Sequence, residues 1–212
     1  MRLTLWLLLV LSGLVLWSSP ALATSVPPPG GKAGIMDPSN EVSVGPPTGM
    51  ITLAAPTVTV PVRIHRTGPT PAVMAFSVRV TLSPTLFLPN GPASITVGEY
   101  LEADGGRTVS FQTTDLGGGV YVVDETTLGQ PCGSTALEGA LFNLAISSTA
   151  QGGSGTVAID EVTLRSCLNH DLSRTVVSPA TVYIDQSAPA VTVLTPNGGE
   201  LWYVGAPVTI AW

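Results

Sequence analysis

Hydrophobic and polar residues alternate along most of this chain with the period of a strand, not of a helix. In "VMAFSVRVTL", Met74, Phe76, Val78, Val80 and Leu82 fall on one side, and Ala75, Ser77, Arg79 and Thr81 on the other. In "TVTVPVRIH", Val58, Val60, Val62 and Ile64 alternate with Thr57, Thr59, Pro61 and Arg63. Both patterns predict strands with one buried face, the first set in each case forming the core side. Pro61 has no amide proton to give to a ladder, so its strand is expected at a sheet edge or with a bulge there. "GIMDPSNEVSV" supplies an irregular first edge strand. Further strands are expected at residues 94–97, 107–112, 119–123, 140–147, 156–164 and 180–184. Short strands spaced by roughly 8–15 residues, with turns between, predict an antiparallel β-sandwich.

The two ends of the chain read differently. Arg2, an apolar stretch over 3–17, and Ala21-Leu22-Ala23 form a secretory signal peptide, with cleavage expected after Ala23. A Pro/Gly-rich spacer covers 24–32, the sandwich 33–186, and a new unit begins at 187. There, 191–194 and 208–212 read as two strands around a turn at Pro196-Asn197-Gly198-Gly199. Two strands cannot close a core. The unit is therefore expected to be incomplete, the chain being cut short.

Composition narrows the partners. The sequence holds 8 basic and 14 acidic residues, and without Arg2 seven basic remain. A net negative chain with no basic cluster argues against nucleic acid and anionic lipid. After signal cleavage no membrane insertion is expected. Cys132 and Cys167 are the only cysteines. An even pair in an exported chain predicts a disulfide, with free thiols or a metal site near His170 as alternatives. Closing a loop of roughly 35 residues would contribute about 3–4 kcal/mol.

The sequence carries little chemistry. His65 ends a strand pattern and His170 lies in "CLNHDLS"; both read as surface or loop residues. "GGSGT" at 152–156 lacks the final glycine of a nucleophile elbow and leads into a β-branched run, so it reads as a hairpin turn. "MDPSNE" (Asp37, Asn40, Glu41), "VDET" (Asp124, Glu125) and "IDE" (Asp160, Glu161) lack EF-hand spacing and read as solvated turns and strand ends. No catalytic residue, cofactor or metal site is predicted. Sugar-binding sandwiches present aromatic rings. Phe76 belongs to a core face, and Phe111 and Phe142 are expected there too. Tyr100 and Tyr121 are the candidate ligand-face aromatics.

The order "VTVPVRI", "AFSVRVTLSPTLFL" and "GALFNLAISSTAQGGSGTVAIDEVTLRSC" resembles the cohesin-like modules of bacterial extracellular proteins, within the superfamily of cohesins and carbohydrate-binding sandwiches. Ser83-Pro84-Thr85-Leu86 matches their short turn after an early strand, and Gly139 opens the later Gly-led strand. Cys132 and Arg165–Asn169 match a subgroup with two cysteines in those places. Thr195–Trp212 resembles the opening of an Ig-like domain of the Kre9/Knh1-like kind. The resemblance implies a cohesin-like jelly roll in a secreted or cell-surface protein. It further implies a non-catalytic role in contacts with a protein partner, or alternatively with a polysaccharide, as a binding module or as the accessory domain of a secreted hydrolase.

Overall fold

The strands of the chain are, in order, β1 (Asn40–Val44), β2 (Ile51–Thr52), β3 (Thr57–Arg66), β4 (Val73–Leu82), β5 (Leu86–Phe87) and β6 (Ile95–Val97). They continue as β7 (Thr108–Gly117), β8 (Val120–Leu128), β9 (Glu138–Ser148), β10 (Gly152–Ser166), β11 (Thr175–Val177) and β12 (Ala180–Asp185). A short 3-10 turn, Gly91–Ser94, leads into β6. These come from a computed structural model, which describes residues 39–103, 108–195 and 198–211. The expected signal peptide, the spacer, Asp37, Arg107 and Trp212 lie outside the described residues.

Two sheets result. One has the order β11-β1-β3-β9-β5, with β6 also paired to β9, and the other runs β2-β12-β10-β4-β8-β7. The pairing is antiparallel except for two short parallel pairs, β1 with β11 and β2 with β12. The expected all-β sandwich is therefore present, as a jelly roll of two sheets facing one core.

The alternation read from the sequence fills that core. Val58, Val60, Val62 and Ile64 of β3 are buried, as are Phe76, Val78, Val80 and Leu82 of β4. Each such Val, Leu or Ile side chain contributes roughly 1.5–3 kcal/mol by leaving water. Phe76 and Phe142 stack with ring centroids 6.1 Å apart, joining β4 of one sheet to β9 of the other.

Four register shifts interrupt the alternation among the described strands, one of them leaving Leu116 extra in β7 next to the turn into β8. Ser166 pairs with Val73 and Arg165 with Ala75, so Met74 is the extra residue and only half-buried, while Val73 takes the core position. Met74 is thus not a core residue as the simple alternation had it. On β10, Ile159 pairs with Val80 and Glu161 with Arg79, leaving Asp160 extra. The third bulge lies in β9, where Val62 opposes Phe142 and Arg63 opposes Ala140.

β3 is not an edge strand, since β1 and β9 flank it. Pro61 is tolerated because its carbonyl accepts the Gly45 amide at 2.8 Å, so its missing N–H faces the point where β1 has already ended. The β9 bulge falls one residue further on. "GGSGT" is also not a turn: residues 152–156 are the start of β10, paired with β12. A Cβ on Gly155 would lie 2.5 Å from Leu86 Cγ, so this glycine permits close packing rather than a bend.

One end of the sandwich is tied by two devices. Cys132 and Cys167 form the expected disulfide, with Cα atoms 5.9 Å apart. Arg66, 1% exposed, donates from Nε to Asn40 Oδ1 at 2.7 Å and from Nη1 to the Pro69 and Ser134 carbonyls. Its Nη2 donates to the Pro71 carbonyl. Asn40 in turn donates to the Ser173 carbonyl at 2.6 Å. Asn40 is therefore a buried pairing residue, not part of a solvated turn.

Beyond β12 the two expected strands do not form. Residues 191–195 and 208–211 meet in an isolated antiparallel bridge between Thr195 and Ala211, whose carbonyl also accepts the Leu194 amide at 2.8 Å. Their apolar side chains stay exposed, Val191 at 72% and Ile210 at 54%. A lone pair of segments has no second layer to bury them against.

Candidate functional site

The outward side of β10, β4, β8 and β7 carries three continuous rows of side chains, because cross-strand partners stand side by side on a sheet. Thr163, Ser77, Asp124 and Gln112 make the middle row. Arg165, Ala75, Thr126 and Ser110 lie on one side of it. Glu161, Arg79, Val122 and Thr114 lie on the other. Small residues at Ala75 and Ser77 leave a groove of about 420 Å³. Phe76 and Glu125, whose positions turn to the core, border its floor.

Most charges on this face are answered nearby. Arg79 pairs with Glu161 at 3.3 Å, and Arg165 pairs with Asp171 at 3.3 Å. Asp160, thrown outward by the β10 bulge, accepts the Thr81 hydroxyl. Asp124 differs. It is half-buried in the middle row, and among the described residues its carboxylate has neither a hydrogen bond nor an ion pair.

Its neighbour points the other way. Glu125 stands between its register partners Phe76 and Phe111, is 2% exposed, and has no partner for either carboxylate oxygen. Burial first, and then the Glu102 carboxylate, push its pKa up to about 8. Neither residue of "VDET" is thus a solvated turn. Glu125 is a buried, neutral acid at neutral pH.

The candidate aromatics do not form a ligand face. Tyr100 is fully buried: its ring lies over Gly139, where a Cβ would come within 3.2 Å of it, and its hydroxyl reaches the Ala136 carbonyl at 3.3 Å. The segment leading to it continues along β9, with the Gly98 amide on the Leu141 carbonyl and the Tyr100 amide on the Ala140 carbonyl, both at 3.0 Å. Glu99 Oε1 accepts the Ala140 amide left over at the bulge, at 2.8 Å. Tyr121 is 7% exposed, since it shares the inward side of β8 with Val123. Burial and then Asp115 raise its pKa. On this sheet Tyr183 of β12 is exposed, at 61%.

The histidines stand apart from these groups. Both are exposed, and among the described residues neither ring is hydrogen-bonded. No group of three or more His, Cys, Asp or Glu among the described residues is placed to hold a metal ion. Nor is any helix among them long and apolar enough to cross a membrane.

Solved structures share this architecture. The seventh ScaB type I cohesin of Pseudobacteroides cellulosolvens aligns over 72% of this chain and 96% of its own, with a TM-score of 0.55 and 14% identity. The fold is cohesin-like. The cohesin-like sandwich also matches a type I cohesin–dockerin complex from Clostridium thermocellum, over 74% of this chain and 99% of that one, with a TM-score of 0.54 and 13% identity. A cohesin module of a family 33 glycoside hydrolase from Clostridium perfringens matches over 71% and 98%, with a TM-score of 0.53 and 10% identity. No protein-family model matches the chain, and neither does any curated protein.

Proposed function

We propose that this chain is a non-catalytic extracellular module that holds a protein partner on the outer face of β10, β4, β8 and β7. The observation that carries the reading is the three-row face itself, rich in Ser and Thr and hollowed at Ala75 and Ser77. A central groove with a polar rim suits recognition by shape and hydrogen bonding. On this face no Ser or Thr hydroxyl is hydrogen-bonded to the one unpaired carboxylate, Asp124, so the described residues present no nucleophile–base pair. The cohesin of the Clostridium thermocellum complex, similar in fold, is held by a dockerin, which supports a protein partner as the kind of ligand. Export follows from the signal-peptide reading of residues 1–23 and agrees with the Cys132–Cys167 bond.

The polysaccharide alternative finds, among the described residues of the sandwich, exposed rings only at Tyr183 and Phe87, on different sheets, where stacking sites use a platform of rings. The test is Ala75→Tyr, which fills the groove from the centre of the face. A panel of dockerin modules, titrated calorimetrically against the wild-type chain, should include at least one binder, and the variant should lose it while keeping the wild-type melting temperature. Binding that survives Ala75→Tyr would place the partner elsewhere and sink the reading.

A further inference from the structure

We infer that the partner anchors on this face through one basic side chain, lysine or arginine, seated on Asp124. The inference rests on the docking face proposed above and adds the chemistry of what binds there.

It follows from an inventory of charge. On the outward side of this sheet, Arg79 is neutralised by Glu161 and Arg165 by Asp171, and Arg165 also donates to the Asn169 carbonyl. Asp160 takes the Thr81 hydroxyl, Asp115 the Gly117 amide, and Asp185 the Ser187 amide and hydroxyl. Asp124 takes nothing, although it sits in the centre of the groove and is half-buried by its neighbours. A carboxylate partly withdrawn from water and without a donor gains most from a charge-assisted hydrogen bond. When a partner covers the groove, Asp124 loses its remaining water. A cationic donor then offsets that loss, whereas an acidic or apolar group leaves a buried, unpaired anion.

The surroundings fit a fork of N–H donors. Ser77 and Gln112 flank Asp124 in its own row and supply further oxygen acceptors. A bare metal ion is a poor match, because among the described residues Asp124 belongs to no group of three or more His, Cys, Asp or Glu. A sugar is disfavoured because the aromatic ring bordering the groove, Phe76, is turned to the core and 3% exposed.

The test uses the whole chain, immobilised, to select binders from a phage-displayed library of structured peptides, with Ala75→Tyr as the counter-selection. Selected binders should converge on one Lys or Arg. Their affinity should fall roughly 10- to 100-fold on Asp124→Asn and stay within about twofold on Glu138→Gln, a control on the other sheet. Binders that are lost on Ala75→Tyr yet indifferent to Asp124→Asn overturn this inference and leave the docking face standing. Binders indifferent to both changes, or no binder that Ala75→Tyr removes, overturn the docking face as well. Retention of xylan or cellulose oligosaccharides that Asp124→Asn abolishes, with no basic residue enriched among the peptides, overturns it in favour of a sugar.

Discussion

Raising the pH from 4.5 to 8 should destabilise this fold, and one side chain accounts for it. Glu125 lies in the core with both oxygens unpartnered, and burial, reinforced by Glu102, lifts its pKa from the ordinary 4.5 to about 8. Below pH 4.5 the carboxyl is protonated whether the chain is folded or not, so it imposes no penalty. Between 4.5 and 8 the unfolded chain releases the proton and the folded chain keeps it, so stability falls by about 1.36 kcal/mol per pH unit. Above 8 both states are ionised and the loss is complete, at about 5 kcal/mol over the window. Urea denaturation at half-unit steps from pH 4.5 to 8.5 reads this directly. Glu125→Gln removes the titrating group, so its stability relative to wild type should climb across the window, reaching about 4 kcal/mol near pH 7.5. Glu102→Gln should leave that slope unchanged and end the fall at a lower pH, trimming the total loss only partly because burial is the larger cause. If wild type and Glu125→Gln give parallel stability curves, Glu125 is not buried as a neutral acid and the account of it fails.

Other perturbations act at the tied end of the sandwich. Cys132→Ser should cost about 3–4 kcal/mol in urea denaturation, the chain-entropy value for a loop of 35 residues, and a loss under 1 kcal/mol would mean the loop is held by other contacts. Arg66→Ala strips donors from Asn40 Oδ1 and from the carbonyls of Pro69, Pro71 and Ser134. It should cost roughly 3 kcal/mol or more, with faster amide exchange in residues 67–72 and 129–137, and unchanged exchange there would count against the hub.

Strand positions were legible because period-2 alternation is a direct imprint of one-sided burial, and β3 and β4 show it almost without interruption. The bulges left a trace that alternation alone does not interpret. Ile159 and Val162 are three residues apart, so both can face the core only if one residue, Asp160, is squeezed out. Tyr121 and Glu125 were also within reach. Both share the parity of Val123, and that parity puts all three inside and Asp124 outside. Carboxylates as a rule stay in water, and Glu125, 2% exposed, departs from that rule. Tyr100 gave no such signal. It is buried because Gly98 and Gly139 let its segment run against β9, a fact of tertiary packing. The groove is likewise made by four strands from distant parts of the chain. The segment after β12 misled for the opposite reason: its pattern is that of strands, but strands need a partner layer.

The two short parallel pairs have a mechanical meaning. Tension applied between residue 39 and residue 186 is taken up first by β1 and by β12. β1 is bonded between β3 and β11, and β12 lies between β10 and the short β2. Because β1 runs parallel to β11, and β2 to β12, a pull on opposite ends of each pair slides one strand along the other. Their hydrogen bonds lie across the direction of pull and must yield together, where a hairpin pulled from its open end unzips one bond at a time. A module joined at those two points would carry load along its length, with the rows of β10, β4, β8 and β7 still turned outward.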